Sequence, residues 1–295
     1  MEEKDWHMLK VLYEVKNITR TAELLYISQP AISYRIQNLE QEFDTQIIAR
    51  GKKGVEFTSQ GESLAKYAIR MLAELQKMKE LIHNMNGTVK GSLRIGVSSN
   101  FARYRLPILL KEFLEIYPDV EISIVTGFSS DVLNFLYRDE VHIGILRGNI
   151  NWKEQSHLLY REPICVASLE KVDISELPKL PRINYKTDIN LQHTIDSWWQ
   201  SMFTQPPRIT MEVDKVDTCV ELIRNGLGYA IVPMISLNEQ YQLHTVVIRN
   251  KDNKPITRDT WLIYRDSLLE LSVVRAFVDF LKSRSMTDYS IAPHE

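Results

Sequence analysis

The sequence predicts an α/β chain in two domains joined by a long helix, and three observations carry that prediction. Residues 4–57 read as three short amphipathic helices followed by two short strands. Residues 64–85 repeat apolar side chains at alternating intervals of four and three. From Gly91 onward, strand-like and helix-like segments alternate. A chain of 295 residues agrees, being long enough for about two domains with separate cores.

In residues 4–16, Leu9, Leu12 and Tyr13 share one helical face. A second helix is predicted in TRTAELLYI, capped by Thr19, with Ala22, Leu24 and Leu25 turned inward. The third spans 28–39. Ser28 is its expected N-cap, and Pro30 is tolerated in the first turn, where the missing N–H has no intrahelical use. Ile32, Ile36 and Leu39 form its buried stripe. The opposite face carries Gln29, Pro30, Ser33, Tyr34 and Gln37, which are short, polar and not acidic, as base edges require. Few residues separate the second and third helices, as in a helix-turn-helix. Ile47–Ile48 and Val55–Phe57 then read as strands flanking RGKKG, a wing that presents Arg50, Lys52 and Lys53 at phosphate height. Residues 1–58 are therefore assigned to a winged helix-turn-helix.

Residues 59–87 are assigned to a linker helix opened by a Ser59/Glu62 capping box. Leu64, Ala68, Met71, Leu75, Met78, Ile82 and Met85 form its a/d seam, the pattern of a dimerising coiled coil. One helix packed on its own domain would give a similar pattern. Residues 91–295 make the second domain, as two lobes. The strands SLRIGV, VEISIV and HIGIL alternate with helices, then a second set runs through RINY, RITMEV and YAIVP. Gly226 and Gly228 mark a helix end and a tight turn into the last of these. Crossing segments near 161–167 and 258–266 put residues 91–161 and 266–295 in lobe I and 162–265 in lobe II.

Charge does not announce the partner. The net charge is −2, and residues 1–60 hold eight Lys/Arg against nine Asp/Glu. DNA affinity would have to come from local patches and from pairing two heads. No apolar run is long enough to span a membrane, and the acidic, polar N-terminus is unlike a signal peptide, so the reading is cytoplasmic with no membrane partner. Two cysteines, Cys165 and Cys219, are too few for a disulfide framework and read as core. Seven histidines show no metal-ligand spacing, and no nucleophile elbow, P-loop or dinucleotide fingerprint is present. No catalytic residue, metal or cofactor is therefore expected. An exported solute binder would share the two lobes but would not need residues 1–87.

The ordered set of a first helix, TAELLYISQPAISYRIQNLE and R-x-K-K-x-x-x-F-T-x-x-G resembles the signature of LysR-type transcriptional regulators across residues 1–64. Asp44, Ile47–Ile48 and Thr21 depart from it, where the family has Gly, Leu-Phe and Ala. The two lobes resemble the family's periplasmic-binding-protein-like effector domain. The resemblance implies a DNA-binding dimer or tetramer, with double-stranded DNA, a small organic anion and RNA polymerase as candidate partners. Ser28, Gln29, Pro30, Ser33 and Tyr34 would meet the operator, with Arg35, Arg50, Lys52 and Lys53 on phosphates.

In open α/β sheets ligands sit beyond the carboxyl ends of the strands. Ser98, Ser99 and Asn100 follow the first strand, Thr126 and Ser129 the second, and Arg147 the third. Each serine serves equally as a plain helix cap, and Arg147 as a salt-bridge partner. YRDEVHIGILRGN, VDKVDTCVELIRNGLGYAIVP and KPITRDTW resemble segments of the citrate-sensing catabolite control regulators of LysR type. That resemblance implies that Arg147 and Arg258 grip the carboxylates of citrate or a related effector.

Overall fold

A computed structural model describes residues 1–51, 54–84, 89–237 and 241–284. The chain divides into two compact units, Met1–Asn86 and Gly87–Glu295. The wing-tip lysines Lys52 and Lys53, and Met85 of the seam, lie outside the described residues, as does the side chain of Arg50.

The first unit holds α1 (Glu3–Val15), α2 (Ile18–Leu24), α3 (Gln29–Glu42), the hairpin β1 (Ile48–Gly51) and β2 (Gly54–Phe57), and α4 (Ser59–Asn84). Its core joins Met8, Leu9 and Leu12 of α1 to Ala22, to Ile32, Ile36 and Leu39, and to Ile47 and Ala68. Two expected caps are displaced by one or two residues. Asn17, not Thr19, caps α2 by accepting from the Arg20 amide at 3.0 Å. Thr58, not Ser59, caps α4: the Gly61 amide donates to its hydroxyl at 3.0 Å, and Ser59 is already helical. Gly61 is required because a Cβ there would lie 2.0 Å from the Ile47 carbonyl oxygen. Leu24, expected inside, is 46% exposed at the frayed end of a seven-residue helix. Asp44 adopts φ 45°, a left-handed turn that a short polar side chain tolerates.

The α4 seam is divided along its length. Ala68 is fully buried against its own domain and Leu64 packs on the same core, which corrects their assignment to a dimer interface. α1 lies along this part of the helix and covers them, with Lys79 reaching Glu3 at 3.1 Å. Met78 and Ile82, farther along, are 54% and 57% exposed.

The second unit contains β3 (Gly91–Ser98), α5 (Ser99–Tyr104), α6 (Leu106–Ile116), β4 (Val120–Gly127), α7 (Ser129–Tyr137) and β5 (Ile143–Arg147). The long β6 (Gln155–Ser168) leads to β7 (Arg182–Tyr185), α8 (Ile189–Met202), β8 (Ile209–Val213), α9 (Val216–Arg224), β9 (Ala230–Pro233) and β10 (His244–Val247). Strand β11 (Thr257–Tyr264) and helix α10 (Ser272–Ser283) follow. One curled sheet runs β10-β6-β11-β5-β3-β4, with β9 also on β6, while β7 and β8 pair in parallel apart from it. The β4-β3-β5 part is parallel, and β11 joins β5 antiparallel. Because Thr260–Tyr264 pair with Arg147–Ile143, β11 belongs to the first lobe's sheet, which corrects the grouping of 162–265 as second lobe.

Strand β6 shows how period-two alternation builds the second lobe. Ile164 and Val166 face one core with Ile195, Trp198 and Trp199 of α8, and Cys165 and Ala167 face another with Cys219, Val220 and Ile223 of α9. Helix α10 returns its apolar face, including Val274 and Phe277, to the first lobe. Gly228, at φ 150°, passes so near Pro181 that a Cβ would stand 2.4 Å from its carbonyl oxygen.

Candidate functional site

On the first unit, the helix-turn-helix leaves a solvent-facing surface at the start of α3. Ser28, Gln29, Pro30 and Gln37 are exposed, Tyr34 is 65% exposed and Ser33 is half-buried. Ser28 spends its hydroxyl on the Ala31 amide at 3.4 Å. Arg35, whose side chain is 32% exposed, pairs one guanidinium nitrogen with Asp5 at 2.7 Å and ties α3 to α1. Asp5 is buried at 8% exposure and needs that cation. Tyr26, which pattern reading assigns to no role, stands 96% exposed at φ 54° in the turn between α2 and α3.

On the second unit, a cavity of about 730 Å³ opens between the lobes. Ser98, Ser99, Asn100, Thr126, Ser129, Arg147 and Arg258 all line it. The sheet brings them together because the carboxyl ends of the parallel strands β3, β4 and β5 share one edge. Lys186, Asp188, Asp214, Lys215 and Asp217 supply the opposite wall, after β7 and β8.

Both arginines carry a protein counterion. Arg147 is 2% exposed and ion-paired to Glu162, which is fully buried and whose other oxygen accepts from the Ile235 amide. Arg258, 7% exposed, is ion-paired to Asp188. Desolvation demands this: a buried guanidinium without a counterion is costly. Burial, and then the neighbouring Arg258 charge, push the Arg147 pKa down from its ordinary value. The serines also differ in role. Ser129 both donates to the Arg147 carbonyl and accepts from its amide at 3.0 Å, locking α7 to β5. Ser99 donates to the Gly127 carbonyl at 3.3 Å. Among the described residues, the buried Ser98 hydroxyl has no hydrogen-bond partner, nor do Nε of Arg147 and Nε of Arg258.

Of the four aspartates that line the cleft, three are already engaged. Asp131 accepts from the Phe128 amide at 2.9 Å, and Asp188 from the Leu191 amide at 3.1 Å. Asp217 bridges the lobes, taking Tyr104 on one oxygen and Arg103 at 3.1 Å on the other. Glu162, Asp188 and Asp217 escaped the sequence reading, although Glu162 is an acid inside the apolar strand REPICVAS and Asp188 sits where a helix cap belongs. Cys165 and Cys219 are buried, and desolvation pushes both thiols up to about 12, far from thiolate chemistry. Among the described residues, no cluster of His, Cys, Asp or Glu is placed to hold a metal.

A winged helix-turn-helix, a long helix and a two-lobed α/β unit around a polar cleft define the class: a DNA-binding transcriptional regulator with a ligand-binding type of domain. Residues 4–62 match the model for bacterial regulatory helix-turn-helix proteins of the lysR family, and residues 86–285 match the LysR substrate binding domain. The chain belongs to the LysR family of transcriptional regulators. It is 46% identical to the HTH-type transcriptional regulator YraN of Bacillus subtilis (strain 168), over 97% of this chain and 99% of that one. It is 36% identical to the HTH-type regulator YkuM of the same organism, over 96% and 97%. Full-length CbnR, in its complex with target DNA, shares the fold at a TM-score of 0.67 and 17% identity, covering 96% of this chain and 100% of that one. Both of these Bacillus relatives are described as HTH-type transcriptional regulators that are themselves uncharacterized. No described helix is long and apolar enough to cross a membrane.

Proposed function

We propose that this regulator binds duplex operator DNA as a dimer and answers to a small carboxylate-bearing metabolite in the interlobe cleft, citrate and related di- or tricarboxylates being the first candidates. α3 enters the major groove, where Gln29 reads a base through its amide while Tyr26 and Tyr34 pack on the backbone. The exposed stretch of α4 carrying Met78 and Ile82 meets its counterpart in a second copy. One observation supports the ligand class above the others. Three buried donors on residues that line the cleft, Ser98 Oγ, Arg147 Nε and Arg258 Nε, have no acceptor among the described residues, while three of the four lining aspartates, Asp131, Asp188 and Asp217, are already engaged. A ligand must bring acceptors of its own.

Calorimetric titration of the full-length chain with citrate, isocitrate and succinate tests this reading. Saturable heat that vanishes in Arg258→Gln is the expected result. Silence from every carboxylate, with binding of a neutral or cationic metabolite unaffected by Arg258→Gln, overturns it.

A further inference from the structure

We propose that Asp188 is a tethered competitor of the effector: its carboxylate occupies the Arg258 fork in the unliganded domain and yields that place to an effector carboxylate. The inference rests on the carboxylate reading of the cleft and adds how the site is held and released.

The two buried arginines are held differently. Arg147 lies in a closed pair, since Glu162 is fully buried and its second oxygen is fixed by the Ile235 amide. Arg258 is fixed at its backbone, where Glu162 of β6 stands opposite it and the Gly148 amide bonds the next residue's carbonyl at 2.8 Å. Its partner is different. Asp188 divides its carboxylate, with Oδ1 capping α8 through the Leu191 amide and Oδ2 on Nη2 of Arg258. Arg258 Nε is left without an acceptor. The pair is therefore one-pronged, while a free carboxylate in the cleft could take Nε and Nη2 together, the stronger forked geometry. Asp188 loses little on release, because it keeps its cap on α8 and is itself partly solvent-accessible. A device follows from this arrangement. Arg258 sits on β11, in the first lobe's sheet, and Asp188 opens α8, whose Leu191, Ile195, Trp198 and Trp199 are core of the second lobe. Exchange of Asp188 for a ligand carboxylate uncouples α8 from the strand that crosses between the lobes. The effector then pays a conformational cost, since its apparent affinity falls by the fraction of time Arg258 is free.

The test is calorimetric titration of full-length wild type, Asp188→Asn and Asp188→Ser with citrate and succinate. Both replacements keep a capping side chain on α8 while removing the charge, and circular dichroism checks their folding. If the free fork is a minor state of about 10% or less, both variants bind the probes about tenfold more tightly or better than wild type. The gain must disappear when Arg258→Gln is added to Asp188→Asn. Binding by the variants alone, with wild type too weak to measure, supports exchange as well. Wild-type binding with no gain in either variant overturns the exchange and leaves the carboxylate reading standing. A gain that persists without Arg258 also overturns it, as general relief of negative charge. No binding by wild type or either variant removes the carboxylate reading together with the exchange.

Discussion

Replacing Glu162 by Gln tests the buried arrangement beneath the cleft. Glu162 is fully buried, and its carboxylate is shared between Arg147, itself 2% exposed, and the Ile235 amide. Glutamine keeps the volume and leaves an acceptor for Ile235, but it strips Arg147 of the carboxylate it is ion-paired with. Breaking a buried pair from one side costs about 3–5 kcal/mol, because the remaining charge stays desolvated. In a unit of this size each kcal/mol moves Tm by about 2–4 °C, so the loss is roughly 6–20 °C. Scanning calorimetry of the full-length chain, following the transition of the second unit, reads it directly. Adding Arg147→Met to Glu162→Gln removes both charges and recovers much of the loss, since no desolvated charge is then left without its counterion. A shift under about 2 °C for Glu162→Gln, or a double variant no more stable than the single one, refutes the reasoning.

Four further outcomes are expected. Gln29→Ala weakens operator binding by about 1–3 kcal/mol and spares non-specific binding; Arg35→Ala, by contrast, leaves the salt dependence unchanged and costs the first unit about 1 kcal/mol, through its half-buried pair with Asp5. Anisotropy across a salt series separates the two, and a shallower salt slope for Arg35→Ala returns that residue to the phosphate-binding set. Met78→Glu with Ile82→Glu places unpaired charges on the exposed stretch of α4, so sedimentation should report monomers, and a surviving dimer moves the interface elsewhere. His142 is 4% exposed, and burial, then the Arg94 charge, hold its pKa down to about 3. The unfolded chain takes up a proton near pH 6.5 and the folded one does not, so stability falls as pH drops from 6.5 toward 3. His142→Gln should flatten that limb, and an unchanged acid profile contradicts the assignment.

The architecture could be read from periodicity because each element carries its own signal. Ile32, Ile36 and Leu39 mark a helix face, and the continuous apolar run ICVA marks a strand buried on both sides. Caps were read less well, since Asn17, Thr19, Thr58 and Ser59 are chemically interchangeable and only the backbone decides which one lies outside its helix. The α4 seam misled for a related reason. A heptad stripe records that a face is apolar, not whether α1 or a second chain covers it. The cleft residues were legible as strand-end polar groups, and the structure brings them to one wall. Their charge state was not legible. Arg147 and Arg258 meet Glu162 and Asp188 only through sheet register and the start of α8, contacts that no local pattern encodes. Tyr26 was overlooked because an aromatic beside apolar neighbours reads as core, whereas its left-handed turn throws it outward.

Regulation by an effector requires coupling between the cleft and the DNA-binding head, and a ligand shifts DNA affinity only by binding two states unequally. Full-length chain is titrated by anisotropy against DNA from upstream of its own gene and against a scrambled duplex, with and without saturating citrate or succinate. The same series is run on Arg258→Gln. The account predicts preference for the upstream DNA, a change in that affinity with carboxylate, and loss of the change but not the preference in Arg258→Gln. Equal affinity for the upstream DNA with and without every carboxylate that binds the cleft, or an effect of the same size in Arg258→Gln, would contradict it.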